Sequence, residues 1–424
     1  MAQLTDDCFA FSGPLLPIAE MERMIAERVQ PVTETESVAL GAARGRVLAA
    51  DVVAPIDLPP FDNSAVDGYA VRHRDLTAQS ETRLAISGRL TAGSATARPI
   101  DAGQAVRIFT GAPMPAGADT VFMQEDVRAE GDVVIVPAGL KAGANRRLAG
   151  EDVRKGSVVL PAGRRLAVQD VTLAAAVGLT KLDVRRRVRV ALFSTGDEIV
   201  EPGKPRPAAA LYDANRTLLD GMLDRLGASV TDLGILKDDA AALEKAIAAA
   251  ARNHDLVLTS GGVSTGEADH VRSAVEKVGR LVFWRVAIKP GRPVAMGVIR
   301  GATAGDGVAF VGLPGNPVAA FVTFARVVRP LFLRLAGANP EPLTALPVRL
   351  AFPYKKKIGR REYVRVALRS GPDGIIEAVT HPQEGAGVIT SLTETDGLAE
   401  LSEDTTTVEP GSTVGFLSYA TLIG

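Results

Sequence analysis

Three short stretches of this 424-residue sequence combine glycine with hydroxyl and carboxylate side chains in a way that suits a phosphate. They are Ser194-Thr195-Gly196-Asp197-Glu198, the run Ser260-Gly261-Gly262-Val263-Ser264-Thr265-Gly266-Glu267-Ala268-Asp269, and Leu313-Pro314-Gly315-Asn316-Pro317. Glycine lets backbone N–H groups approach a ligand closely, and a helix N-terminus adds a positive dipole. The second and third stretches lead into helices, so together they predict a phosphate cradle. Asp197, Glu198, Glu267 and Asp269 would repel a bare phosphate, and carboxylates in such a place suit Mg²⁺ or a ribose. For Glu267 and Asp269 the structural alternative is capping of the helix that follows.

Other patterns carry less chemistry. Lys289-Pro290-Gly291-Arg292-Pro293 puts two cations around a Pro-Gly turn, a compact oxyanion site. Lys355, Lys356 and Lys357 read as a solvated face, and Arg185–Arg187 as the lining of a domain junction. The loop from Pro59 to Ala70 is dense in specific groups, among them Asp62, Asn63 and Asp67. No GxGxxG follows a strand and no GxxxxGK[ST] occurs. Gly262-Val263-Ser264-Thr265-Gly266 matches GxSxG, but a hydrolase triad would need Asp306 and His381, which fall in different expected domains. The four histidines lack HExxH spacing, and the lone Cys8 can form no internal disulfide.

The elements that must position these loops follow from periodicity. A helix is expected over 17–30 from Ile18, Met21, Ile25 and Val29, and a short one over 36–44. Short β-type runs at Arg83–Ser87, Ala105–Phe109, Thr120–Met123 and Val133–Val136 predict a small β module over 55–148. A helix at Val168–Val177 folds back on the N-terminal helices, so 1–54 and 149–186 form one discontinuous mixed domain. Over 187–336 strands alternate with helices, ending in a long helix Pro317–Leu335. That order predicts a doubly wound α/β domain with a parallel sheet covered on both faces. Strands at Val348–Phe352, Tyr363–Leu368, Ile375–Thr380, Leu398–Leu401 and Val414–Ser418 predict a separate C-terminal barrel or sandwich over 340–424. Apolar residues make up 46% of the chain, enough for several cores, and the net charge of -1 argues against a general nucleic-acid binder. No uncharged apolar run reaches membrane-span length, and the acidic N-terminus does not read as a signal peptide, so a cytoplasmic location is expected.

Eight motifs in order resemble those of the molybdopterin molybdenumtransferases, the bacterial MoeA proteins and the E domain of gephyrin. They are Phe61–Arg72, Thr110-Gly111-Ala112-Pro113, Gly150-Glu151-Asp152, Phe193–Glu198, Tyr212–Arg216, Ser260–Asp269, Ala287–Pro293 and Leu313–Val318. The resemblance covers essentially the whole chain. It implies a four-domain subunit in an L-shaped homodimer, with the α/β domain of one subunit facing the β module of the other. It implies insertion of molybdate at the dithiolene of adenylated molybdopterin with Mg²⁺-dependent release of AMP, and a molybdopterin adenylyltransferase as a partner. Carried over by position, Asp67, Glu198, Asp238, Asp269 and Lys289 are expected to be catalytic. Thr110, Asp152, Ser260, Gly261, Gly262, Ser264, Pro314, Gly315 and Asn316 are expected to hold the substrate. Lys289, Arg292, Pro293 and Arg360 are expected to hold molybdate, and Glu198 and Asp269 the metal.

The sequence departs from the family's pattern in places. Arg285 and Arg292 stand where relatives have lysine, which keeps the charge and changes the hydrogen-bond fork. Ala386 stands where a serine is expected, with Ser391 close by. Two further readings are open: a scaffold role of the gephyrin kind, and the preceding adenylyltransferase, whose single domain resembles residues 187–336.

Overall fold

The computed structural model describes residues 15–94, 99–261, 270–301 and 307–423. The first helix, Ile18–Arg28, buries Ile18, Met21 and Ile25 of the expected stripe and Met24 beside them, and Val29 is buried just past its end. The short helix expected over 36–44 does not form as such. Thr35–Ala39 is a strand paired antiparallel with Lys181–Arg185, and only Leu40–Ala43 makes a helical turn. So short a helix, without a side-chain cap, loses to a ladder when a partner strand is present. Val52–Val53 pairs with Val158–Leu160. These pairings tie the stretch before 54 to the stretch after 157 around Leu48, Val52, Leu160, Leu166, Ala174, Leu182 and Val184.

Between them lies a six-stranded sheet in the order Thr120–Met123, Gly68–Val71, Gln104–Ile108, Thr82–Leu90, Val133–Val136, Arg128–Glu130. The four expected β runs are all strands of this sheet.

The α/β sheet has the order Ser229–Leu236, Arg189–Thr195, Leu256–Ser260, Gly307–Leu313, Pro293–Arg300, Gly279–Arg285. The first three pairings are parallel. The last two are antiparallel, so the sheet is mixed rather than parallel throughout. The connection 286–292 is too short for a crossover helix, which a parallel pairing would need. Helices Ala214–Leu226, Ala240–Ala251 and His270–Val278 cover the sheet. Pro317–Thr323 continues through a π-helical stretch, Phe324–Val328, into Arg329–Leu335, and nearly every residue of that rod is buried.

The C-terminal strands close into a five-stranded barrel: Arg361–Ser370, Ile376–Thr380, Leu346–Leu350, Thr413–Ser418, Gly397–Leu401 and back to the first. Its interior holds Val348, Leu350, Val364, Val366, Ala378, Ala399, Leu401 and Phe416. Ile288–Lys289 adds to this sheet in parallel, opposite Arg361 and Glu362. A loop of the α/β domain is thereby stitched to the barrel. Among the described residues no helix is long and apolar enough to cross a membrane.

Candidate active site at the sheet edge and the barrel seam

The carboxyl ends of three adjacent α/β strands meet at one edge, where ligands of such sheets bind. Gly261 leaves the Leu256–Ser260 strand at φ 83°, and a Cβ there would lie 2.7 Å from the Thr195 carbonyl oxygen. Only glycine fits so close an approach. Its N–H donates to the Leu313 carbonyl at 3.2 Å. Asn215, at the start of the Ala214–Leu226 helix, fixes the neighbouring loops. Its Nδ2 donates to Ser260 Oγ at 2.8 Å and to the Gly315 carbonyl at 2.7 Å. Ser260 and Gly315, both expected substrate contacts, are therefore held together by one buried amide. The hydroxyls of Ser194, Thr195 and Thr259 are buried at the same strand ends with no hydrogen-bond partner among the described residues. Pro314 is half-buried, and Gly315 and Asn316 are exposed. Gly262, Ser264, Glu267 and Asp269 lie outside the described residues.

Acids gather beside this edge. Gly196 at φ 147° makes the turn that brings Glu198 back; a Cβ there would sit 2.7 Å from Glu198 Oε2. Asp197 and Glu198 are exposed, and Asp238 follows the Ser229–Leu236 strand. Burial pushes the Asp238 carboxyl up; His270 opposes this, and Asp197 and Glu198 add to it. Asp238 Oδ1 is buried without a hydrogen-bond partner among the described residues. Hard carboxylate oxygens gathered in this way suit a divalent cation. Among the described residues no group of three His, Cys, Asp or Glu side chains is already arranged as a metal cage.

A second charged group sits at the seam with the barrel. The expected pair of free cations is not what the turn provides. Lys289 Nζ lies 3.1 Å from Glu362 Oε2 and 3.4 Å from the Tyr354 hydroxyl, which itself donates to Glu362 Oε2 at 2.9 Å. Arg360 Nε donates to Glu362 Oε1 at 2.7 Å. Glu362 is only 1% exposed, so one buried carboxylate grips two of the four expected molybdate contacts, Lys289 and Arg360. Burial pushes its carboxyl up, but the bonds from Lys289, Tyr354 and Arg360 outweigh that and hold it below the usual range. Arg292 and Pro293 are exposed, and Arg292 has no side-chain partner among the described residues. Gly291, at φ 100°, packs on the Pro317–Thr323 helix; a Cβ would meet Thr323 Oγ1 at 2.2 Å.

Lys289, Pro290, Glu362, Arg365, His381 and Ala386 line a cavity of about 170 Å³ at this seam. Buried Arg365 donates to the carbonyls of Gln383 and Gly385 and to Ser391 Oγ. The loop it holds presents the Ala386 carbonyl to the Val318 N–H at 3.0 Å, so the barrel fills one donor of that helix N-terminus. Ser391 cannot substitute for the serine missing at 386. It is fully buried, and its hydroxyl donates to the Val388 carbonyl at 2.6 Å. His381 pairs with Glu394 in the barrel, and Asp306 and Ser264 lie outside the described residues. Lys356 is not merely solvated: it donates to the carbonyls of Ser402 and Thr405 at 2.7 Å each. Arg185 and Arg186 do line a junction, through the Val32 carbonyl and through Glu34 and Asp255.

The remaining expected residues stand on the β module and its flank. Asp67 Oδ1 accepts from both the N–H and the hydroxyl of Thr110, at 2.8 Å each. The Thr110 N–H, then its hydroxyl, hold the Asp67 carboxyl below its ordinary range. Asp152 is exposed, on a loop pinned by its N–H to the Leu58 carbonyl. Among the described residues no hydrogen bond or ion pair links these three to the α/β edge. Asn215, Glu362 and Arg365 escaped the sequence reading. Asn215 sits inside a motif singled out there, but nothing in its spacing marks it as a staple.

Comparison with known proteins identifies the family. Residues 16–178 match the MoeA N-terminal region (domain I and II), 191–334 the "Probable molybdopterin binding domain", and 347–419 the MoeA C-terminal region (domain IV). A molybdopterin molybdenumtransferase of Haemophilus influenzae is 38% identical over 97% of this chain and 100% of its own length. Molybdopterin molybdenumtransferase 2 of Mycobacterium tuberculosis is 34% identical over 93% and 97%. The crystal structure of the molybdopterin biosynthesis MoeA protein from Pyrococcus horikoshii OT3 covers 96% of this chain and 100% of its own, with TM-score 0.79 and 29% identity. The chain belongs to the molybdopterin molybdenumtransferase (MoeA) family, transferases of molybdenum cofactor biosynthesis.

Proposed function

We propose that this protein inserts molybdate into the dithiolene of adenylated molybdopterin, with Mg²⁺-dependent cleavage of the phosphoanhydride by water and release of AMP. The observation that carries the reading is the placement of two unlike groups, one at the α/β strand edge and one at the seam between the α/β domain and the barrel. One is a glycine-lined strand edge with acids beside it, and the other is the Lys289–Glu362–Arg360 cluster. The first suits a pyrophosphate and its metal; the second suits a tetrahedral dianion.

In this reading the backbone around Gly261 and Gly315 receives the pyrophosphate, and Asn215 keeps the two loops in register. The unpartnered hydroxyls of Ser194, Thr195 and Thr259 supply further donors. Glu198 and Asp238, with Asp269, would hold Mg²⁺, which when bound neutralises charge on the phosphates. The fit rests on the unsatisfied Asp238 oxygen and on an Asp238 carboxyl raised by burial and by its acidic neighbours. Lys289 and Arg360, oriented by Glu362, attract molybdate to the seam, and Arg292 adds an exposed cation. Asp67 and Thr110 act from the β module of a second subunit in a homodimer. A molybdopterin adenylyltransferase would deliver the substrate, and the setting would be cytoplasmic.

The test is incubation with adenylated molybdopterin, molybdate and Mg²⁺. AMP release together with activation of a molybdenum-free apoenzyme is expected; absence of either ends the proposal. Formation of the adenylate from ATP and molybdopterin would instead favour the preceding enzyme.

A further inference from the structure

Among the described residues the α/β edge gathers acids: Asp197 and Glu198 add to the burial that raises the Asp238 carboxyl, and His270 opposes them. A ligand carrying two phosphates needs cationic partners from elsewhere, beyond any metal.

One face of the β module has them. Tyr69, Arg107 and Arg89 lie opposite one another on three neighbouring strands, in register. Phe109 stands two residues beyond Arg107 on the same face. The Arg107 guanidinium lies 5.0 Å from the Tyr69 ring centre and 4.9 Å from that of Phe109; Arg89 lies 4.8 Å from the Phe109 ring centre. Stacking on a ring leaves a guanidinium's in-plane N–H groups able to donate. Arg107 is braced further by the Gly68 carbonyl and the Gln124 side chain. Arg89 has no hydrogen bond or ion pair among the described residues, whereas Arg83 on the same strand pairs with Glu130. A bulge between Ile86 and Gly88 opens the floor of the concavity, and nothing lies within 4 Å of where a Gly88 Cβ would be. Tyr69, Ser87, Gly88, Arg89, Arg107 and Phe109 line that concavity. The acid on this side is Asp67, whose Oδ1 is engaged by Thr110.

We propose that Arg89 and Arg107, stacked on Phe109 and Tyr69, form a phosphate-binding site that receives the phosphate groups of the substrate on the β module. The proposal rests on the function proposed above for the identity of the substrate, and on this face alone for the chemistry. Two guanidiniums spaced across one ring suit a phosphate monoester or pyrophosphate, because each offers paired donors. The Asp67–Thr110 pair next to them adds an acid at the margin of the same surface. The site is a half-site that supplies positive charge.

Calorimetric titration of the full-length protein with inorganic pyrophosphate, in chelator and without molybdate, tests it. Arg89→Gln is the decisive variant, because that side chain makes no hydrogen bond or ion pair among the described residues. Its affinity should drop roughly tenfold or more, the loss expected for a charged hydrogen-bond donor. Arg107→Lys, which keeps the charge and loses the fork, should weaken binding less than Arg89→Gln. Arg83→Gln, which removes the same charge from the same strand, should bind like the wild type. Arg89→Gln should also raise the KM for adenylated molybdopterin and leave kcat near the wild-type value. Equal pyrophosphate affinity in wild type, Arg89→Gln and Arg107→Lys overturns the site. An equal drop in Arg83→Gln also overturns it, since net charge alone would then account for the effect. The titration needs no turnover. A protein that binds pyrophosphate through Arg89 yet releases no AMP would contradict the proposed reaction and leave this site standing.

Discussion

The α/β strand edge and the barrel seam solve opposite electrostatic problems with similar parts. At the edge, Asp197, Glu198 and Asp238 crowd together, and Asp238 carries a buried oxygen with no partner among the described residues. At the seam, buried Glu362 is fully engaged by Lys289, Tyr354 and Arg360. The same functional group is a liability in one place and a clamp in the other. The difference teaches how burial and partners decide a carboxylate's role: at the edge burial and neighbouring acids disfavour the charge on Asp238, and at the seam three donors favour the charge on Glu362.

Removing the clamp should have the largest effect. Glu362→Ala leaves two cations and a buried phenol without their acceptor, and should cost about 3 kcal/mol of stability, discounted for the half-exposed Lys289. Calorimetric unfolding checks this, and an unchanged Tm would show that the cluster is not a clamp. Next is Gly291→Ala, whose added Cβ would overlap Thr323 Oγ1 in a backbone conformation that favours glycine. A loss of roughly 2–3 kcal/mol is expected. Pairing it with Thr323→Ala should recover part of that loss, which denaturant titration can read.

At the edge, Asn215→Ala should cost about 1–3 kcal/mol by leaving Ser260 and the Gly315 carbonyl without their shared donor. Its KM should rise as well, since two ligand-facing loops lose their common anchor. The smallest effect separates the two regions most cleanly. Asp238→Asn should raise Tm at neutral pH while lowering turnover, because the charge it removes is unfavourable in the fold without metal.

Titration sharpens the contrast. The folded pKa of Glu362 lies below its unfolded value, so its contribution is present above the usual carboxylate range and is lost as pH falls through the folded pKa. The folded pKa of Asp238 lies above its unfolded value, so its cost is present at neutral pH and is relieved as pH falls through that raised value. Tm measured from neutral to acid should therefore lose its steep acid limb in Glu362→Gln. Asp238→Asn should lose the gain in mild acid.

Much of this architecture was legible in the sequence, for identifiable reasons. The α/β strands and the barrel strands announce themselves as apolar runs bounded by glycine and proline, and the loops at the sheet edge by glycine next to acids. Thr35–Ala39 was misread as helix because its partner, Lys181–Arg185, lies far along the chain. The mixed sheet was missed because strand direction depends on a loop length that composition does not weigh. Glu362 was invisible because a single carboxylate between Arg361 and Tyr363 has no motif. Only the parallel addition of Ile288–Lys289 beside it brings Lys289 within reach. Asn215 stood in a recognised motif, yet its role depends on two loops that meet only in the fold.

The most direct test of the account is a single-turnover measurement of AMP released from adenylated molybdopterin by wild type, with and without molybdate and Mg²⁺. The account predicts release when both are present, strongly reduced release when Mg²⁺ is omitted, and little release by Asp238→Asn or Lys289→Ala. Release that is indifferent to Mg²⁺ and to both substitutions would contradict it.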